Sequence, residues 1–434
     1  MSTASQLPTA AGVHPGLQSL ASFPLVEALY GRRSRRFARG SEIPDGPLAY
    51  RSEQAPQPLD ELETMLVLSA VAGTTGWHAG ITHNARYAPH MANYAGGAAG
   101  RTFPSAAGFH TSELLFTDDS GLYLLRTRDA GALVDPGAEE VTPELMVARH
   151  RAQVRRIADR RLHLPAQEPF IEGHNHWCVN RPGSLLAFPV GDLAQHMLQV
   201  LCYLTQNGAV LYDDVNGRPI PGVERFASLV DPSAAYPLSY LEQRAMTQLA
   251  AEQAAGCYAG ALMLQGIGLG GWMFDGIDHL TVLGASDDPD VPGLGFRADV
   301  DARWAVPNPT GADGLFSALC PPHVADMSEA VELLCERKFG AGGPHNAGTP
   351  GPWKDSPAAR GSAQPHGADF RACVALQAQY VLDTFGRFPG TVPSLHITTY
   401  LQAHHLDLAF YDEKFGPGAY LRTHAEHEQR WDGR

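Results

Sequence analysis

Cysteine is scarce. The six residues, Cys178, Cys202, Cys257, Cys320, Cys335 and Cys373, form no C-x-x-C pair in a chain of 434 residues. That spacing excludes a zinc ribbon or a dithiol redox motif and reads as buried thiols of a reducing compartment. Long apolar runs are also missing: no stretch reaches the eighteen or so residues a membrane-spanning helix needs. Positive charge is in short supply, with 32 Lys+Arg against 46 Asp+Glu and a formal net charge of −14. This balance argues against nucleic acid or an anionic membrane as the main partner. The segment from Met1 to Phe23 has neither a basic start nor an apolar stretch, so no secretory signal is read and the cytoplasm is expected. No G-x-S-x-G elbow and no H-E-x-x-H pair occurs, which removes the sharpest signatures of serine hydrolases and zinc proteases. The 45 glycines and 33 prolines follow no period, so neither a repeat nor a low-complexity block is expected.

What is present supports a large core, since 44% of the residues are hydrophobic. Residues 1–22, small and polar, read as a loose tail. Helical spacing is expected over Phe23–Tyr30, Pro58–Ala72, Pro143–Arg161, Asp192–Gln206, Ser239–Gly266, Asp326–Phe339 and Phe370–Phe385. Capping boxes are expected at Ser239/Glu242 and Asp326/Glu329. The Ala- and Gly-rich stretch Ala250–Ala261 allows a neighbouring backbone to approach closely. Glu113–Phe116 and Leu122–Leu125, separated by D-D-S-G, form a β-hairpin pattern. Val210–Tyr212 and His279–Gly284 read as short strands. Beyond Pro321-Pro322 the texture changes, and residues 321–434 are expected to be an extension that packs on the core or on a dimer partner.

Three stretches carry chemistry. The first is G-R-R-S-R-R-F, Gly31 to Phe37, with four arginines and a serine in five consecutive positions, against the acidic trend of the chain. Guanidinium forks and a hydroxyl suit a phosphate. The second is R-T-F-P-S-A-A-G-F-H, Arg101 to His110, leading into the hairpin. The third is G-I-G-L-G-G-W, Gly266 to Trp272, at the exit of the small-residue helix. It ends a helix and so is not a dinucleotide fingerprint.

In this order the three stretches resemble the nitroreductase family of FMN-binding flavoproteins, in particular its larger bacterial branch that includes peptide-azoline dehydrogenases. There an R-R-S-x-R opening is followed by P-S-A-G-G-x-H-x-x-E. The matching residues are Arg32, Arg33, Ser34 and Arg36, then Pro104, Ser105, Ala106, Gly108, His110 and Glu113, with Ala107 departing from the pattern. The resemblance covers residues 23–320. It implies an α+β fold with a central antiparallel sheet flanked by helices, and a homodimer with FMN at the dimer interface. It further implies a phosphate clamp of Arg32, Arg33, Ser34 and Arg36 completed by Arg297 or Arg303. Backbone contacts to the flavin would come from Pro104, Ser105, Ala106 and Gly108 and from Gly268, Leu269 and Gly270.

The activity that follows is two-electron transfer between NAD(P)H and a small organic acceptor. A flavin-dependent dehydrogenase or oxidase, or a non-catalytic flavin-binding protein, are the alternatives. Trp77, His78, His110, Trp272 and His405 are aromatic or titratable residues that can line a pocket, and none is assigned a catalytic role. The histidines of the C-terminal region, His396, His404, His405, His424 and His427, have no sharp ligand spacing, and no metal is expected from them.

Overall fold

The computed structural model describes residues 14–81, 90–131, 142–177, 179–286, 288–299, 301–304, 306–392 and 400–431. Its frame is a mixed-order antiparallel sheet. In chain order its strands are β1 (Ser112–Asp118), β2 (Gly121–Leu125), β3 (Val154–Ala158), β4 (Leu185–Asp192), β5 (Gly270–Phe274), β6 (Thr391–Val392) and β7 (Tyr400–His404). Their spatial order is β5-β7-β4-β1-β2-β3, with β6 beside β4. β1 and β2 are the expected hairpin, in register from Leu114↔Leu125 to Asp118↔Gly121. Asp118 caps its turn, its Oδ1 accepting the N–H groups of Ser120 and Gly121.

Strand periodicity sends alternate side chains to two separate cores. Leu114, Phe116, Leu125, Leu185, Ala187, Leu401 and Ala403 pack on one face. Leu115, Leu122, Leu124, Leu186, Phe188, Val190, Trp272 and Phe274 pack on the other. The continuous apolar runs of these strands follow from burial on both sides, and each fully buried Leu or Phe contributes roughly 1.5–3 kcal/mol.

The helices used below are α1 (Pro15–Ala21), α2 (Leu25–Gly31), α3 (Glu61–Ala72), α4 (Leu193–Gln206), α5 (Leu238–Ile267), α6 (Met327–Phe339), α7 (Ala368–Phe385), α8 (Leu408–Lys414), α9 (Arg422–Ala425) and α10 (His427–Trp431). α3 and the C-terminal half of α5 cover one face of the sheet, while α4, α6 and α7 build the other core. α3 starts at a full capping box, Asp60 with Glu63, and nearly all of it is buried. The Gly-rich part of α5 meets α3 closely: a Cβ on Gly256 would stand 2.4 Å from the Val71 carbonyl oxygen, and one on Gly260 2.5 Å from Val71 Cγ2.

Several expectations are corrected. The expected helix 143–161 is a helix only over Pro143–Arg151, after which the chain turns into β3. The stretch expected as a strand, 279–284, is the helix His279–Leu283, because Asp278 caps it and Gly284 ends it in the left-handed conformation. Ser239 and Glu242 form no box; α5 begins at Leu238, and Asp214 accepts the Ser239 N–H at 3.0 Å instead. Within the tail expected to be loose, Pro15–Ala21 is helical, and Gly16 lies flat against the Trp431 ring. Residues 321–434 are not an appendage: β7 sits inside the sheet between β5 and β4, with Gly270↔His404 and Leu401↔Ala187 in register. Sequence separation hides such a pairing, because both partners of β7 lie more than a hundred residues upstream.

The close approach of α3 and α5 gives a direct test. Gly256→Ala is expected to destabilise the protein by about 1–3 kcal/mol, because the Val71 backbone has no room to retreat. A chemical-denaturation midpoint unchanged from wild type would contradict the packing.

Candidate functional site

The arginine stretch runs along the free edge of the sheet. Arg35 bridges Gly271 in β5, whose N–H donates to the Arg35 carbonyl at 2.9 Å, and Ala38 bridges Leu406 just past β7. Extended backbone alternates its side chains, so Arg35 and Phe37 turn inward and are buried while Ser34 and Arg36 face out. Arg35 spends its guanidinium inside the protein. It donates to the Ala419 carbonyl (2.9 Å), Gln265 Oε1 (2.6 Å) and the Gly31 carbonyl (3.2 Å). Burial pulls its pKa down to about 10, against a partly compensating effect of Tyr411.

Outside this anchor lies a cavity of about 830 Å³. Arg33, Ser34, Arg35 and Arg36 form one wall, Phe410, Tyr411 and Phe415 of α8 and its exit form another, and Trp177 stands at its rim. Phe37 fixes the aromatic wall, stacking on Phe410 with ring centroids 3.9 Å apart and donating its N–H to Tyr411 Oη at 3.1 Å. Arg36 lies 5.4 Å over Trp272, which stacks parallel to Trp177 at 5.9 Å. Glu42 also lines the cavity, tied to Arg51 at 2.7 Å. Arg33, Ser34 and Arg36 are exposed and face the cavity. Arg33 Nη1 donates to the Tyr30 and Arg32 carbonyls, so the arrangement offers the rest of that fork, the Arg36 fork and a hydroxyl beside flat apolar surface, which suits a planar ligand carrying an anionic group.

The other sequence-derived residues are placed differently. Arg32 does not line the cavity; it lies 5.9 Å over Tyr258 of α5. Gly268, Leu269 and Gly270 are packed beneath the C-terminal segment. A Cβ on Gly268 would meet the Thr423 carbonyl at 2.2 Å, one on Gly270 would meet Leu406 at 2.2 Å, and Leu269 is fully buried. The small size of Gly268 serves packing under α9, and that of Gly270 packing against the exit of β7, not an approach to this cavity. Arg297 is paired with Asp313, and Arg303 with Asp301 in its own loop at 2.6 Å. Neither lines the cavity, so within the protomer neither completes the arginine wall.

Pro104, Ser105, Ala106 and Gly108 form a tight turn that also lies outside the cavity. Ala107, Gly108 and His110 all have positive φ. Ser105 Oγ accepts the His110 N–H at 2.9 Å and donates to Glu252 Oε2 at 2.5 Å, while Glu252 Oε1 accepts the Ser112 N–H at 3.2 Å. The buried Glu252 of α5 thus holds the turn in shape, and burial pushes its carboxyl up. Glu113, matched to the family pattern, accepts the Thr127 N–H at 2.8 Å and serves the start of the next loop.

The remaining pocket candidates divide in the same way. Trp272 backs the Arg36 side of the cavity, Trp77 lies under Arg360 at 5.6 Å, and His78 faces Gly108. The described cysteines, 202, 257, 320, 335 and 373, are buried, and burial pushes Cys202 up to about 12, away from thiolate chemistry. Cys178 and His396 lie outside the described residues.

Sequence reading missed the aromatic wall. Phe410, Tyr411 and Phe415 had a signal only as an aromatic-rich C-terminal tail. It also missed Glu63. This carboxylate, buried in the first turn of α3, meets His427 Nε2 through Oε1 at 2.8 Å and His405 Nε2 through Oε2 at 3.4 Å. Burial would raise its pKa, and the two imidazoles outweigh that and hold it far below the usual carboxylate range. His424 and His427 share no helix face: they lie in α9 and α10, and His424 Nδ1 accepts the Leu421 N–H at 3.1 Å.

No protein-family model matches this chain, and no curated protein matches it. The geometry therefore carries the functional argument alone.

Buried neutral histidines give the region a pH signature. Burial lowers His110 to about 3 and His196, held between Thr111 Oγ1 and Gln248 Oε1, to about 4. As pH falls through about 6.5 the unfolded chain takes up these protons before the folded one, so stability is lost on acidification. Each such histidine adds up to about 1.4 kcal/mol per pH unit to that slope. Urea midpoints are expected to fall steadily from about pH 7 to about pH 5, and His196→Gln to flatten the curve. A wild-type midpoint constant over that interval would contradict this placement.

Proposed function

We propose that the chain is an FMN-dependent oxidoreductase of the nitroreductase-like type, passing two electrons between NAD(P)H and a small organic acceptor. The observation that carries the reading is the cavity in which Arg33, Ser34 and Arg36 face the aromatic wall of Phe410, Tyr411 and Phe415. A flavin mononucleotide has these two needs: charge-assisted donors for a phosphate, and flat apolar surface for a fused ring. The cavity volume of about 830 Å³ falls within the range of about 300–1,000 Å³ typical of small-molecule sites.

In this reading Arg33, Ser34 and Arg36 hold the phosphate, with Arg36 oriented by its contact with the Trp272 ring. Charge-assisted hydrogen bonds of this kind contribute roughly 1.5–3 kcal/mol each. Arg35 lines the cavity beside them, but its guanidinium is spent inside the protein, where it fixes the backbone from which its neighbours project. The aromatic wall excludes water from one side of the ring. When bound, the flavin supplies the hydride chemistry, and the protein's share is seating and polarity.

A homodimer accompanies the reading. The face of α2 immediately before the arginines exposes Leu25, Val26, Leu29 and Tyr30, with Tyr30 79% exposed. A contiguous apolar face of this kind favours a protein partner. The P-S-A-A-G turn, outside the protomer's own cavity, would then contact flavin across the interface.

The double substitution Arg33→Ala/Arg36→Ala is expected to strip flavin from the purified protein, weakening FMN binding at least about 100-fold while leaving the circular dichroism spectrum intact. Arg297→Ala and Arg303→Ala are expected to retain it. Anaerobic addition of NADH or NADPH should bleach the flavin absorbance of the wild type. A colourless protein that does not take up added FMN would sink the proposal.

A further inference from the structure

Glu63, His405 and His427 lie in three separate elements of the chain: the first turn of α3, the residue just past β7 and the start of α10. One ligand atom from each lies within 4.8 Å of the others, and all three residues are buried. The donor chemistry at this point is lopsided. His427 Nδ1 lies 2.7 Å from the Ile267 carbonyl, which can only accept, so Nδ1 carries a hydrogen and Nε2 is the ring atom turned to the cluster. His427 Nε2 stands 2.8 Å from Glu63 Oε1. His405 Nε2 stands 3.4 Å from Glu63 Oε2 without forming a directed hydrogen bond, although His405 is only 4% exposed. Glu63 Oε2 is already oriented by the Asp60 N–H at 2.7 Å.

Two imidazole nitrogens and a carboxylate oxygen that converge in one buried space are a ligand set for a single cation. A single divalent ion satisfies all three donors at once. We propose that Glu63, His405 and His427 bind one divalent transition-metal ion of the Zn²⁺ class. Two imidazoles and a carboxylate are a set that Zn²⁺ and its neighbours accept with a solvent ligand, and one that Ca²⁺ and Mg²⁺ do not favour. The outer bonds are in place as such a site requires: a backbone carbonyl fixes the His427 tautomer and a backbone N–H fixes the carboxylate.

The role is structural. The three ligands fasten the segment 405–431 to α3 and to the end of α5, and that segment supplies Phe410, Tyr411, Phe415 and Ala419 of the cavity. The site's chemistry does not depend on what the cavity binds.

The test uses the full-length, untagged protein, freed of metal by a chelator and dialysed. Co²⁺ serves as the probe, followed by Zn²⁺ displacement and by metal analysis. The expected result is one ion per chain, a visible ligand-field band of low-coordinate Co²⁺ that Zn²⁺ abolishes, and a thermal midpoint raised by several degrees on adding one equivalent of Zn²⁺. His405→Gln and His427→Gln are each expected to weaken the competed affinity at least about 100-fold. Should either variant fail to fold, the wild-type cobalt spectrum and stoichiometry decide the matter alone. A wild type that retains no ion and shows no band with excess Co²⁺ overturns the proposal, as does a folded His405→Gln/His427→Gln double variant that binds as wild type does.

Discussion

The buried guanidinium of Arg35 is the contact on which the proposed site depends. It ties three otherwise separate pieces together: the end of α2 through the Gly31 carbonyl, the C-terminal turn of α5 through Gln265, and the loop after α8 through the Ala419 carbonyl. Removing this buried guanidinium leaves its three acceptors unsatisfied, which costs far more than an exposed ion pair would contribute. Once Arg35 is held, strand geometry decides the rest. Its neighbours must alternate, and Ser34 and Arg36 are presented outward at fixed spacing. A basic cluster on a loop would spend binding energy on ordering itself; one anchored at its middle has already lost that entropy during folding.

The C-terminal region serves the same end. β7 closes the sheet between β5 and β4, and the chain emerging from it pairs with residues 37–39 before forming the aromatic helix α8. The wall opposite the arginines is therefore built by the last elements of the protein, and the clasp of Glu63, His405 and His427 lies where that segment meets α3. Gly268 lets α9 settle onto the end of α5, and Gly270 lets Leu406 and His404 lie against β5. A motif that looks like a cofactor loop in sequence is here a packing device, because small residues serve close backbone approach wherever it occurs, with or without a ligand.

The same ambiguity runs through the other chemistry-bearing stretches. Four arginines in five positions are legible as a phosphate candidate, but nothing in the sequence says that Arg35 points inward while Arg33 and Arg36 do not. That depends on which edge of the sheet the segment lies against. Arg297 and Arg303 are candidates through the family resemblance, and nearby aspartates occupy both. Ser105 fitted a flavin-turn pattern, and its hydroxyl instead joins His110 to a buried Glu252 that is 147 residues away.

The sequence by itself determined the local elements: the β1–β2 hairpin, the Asp192-capped α4, the Asp326-capped α6 and the glycine-lined contact surface of α5. Caps, turn residues and periodicity act over a few positions, so a short window contains the forces that set them. Only the tertiary structure decided that β7 belongs inside the sheet, that α8 faces the arginines, and that Glu63 shares a buried point with two histidines more than 340 residues away. Those pairings rest on shape and burial between distant segments, and no local pattern encodes which distant partner will fill a given face.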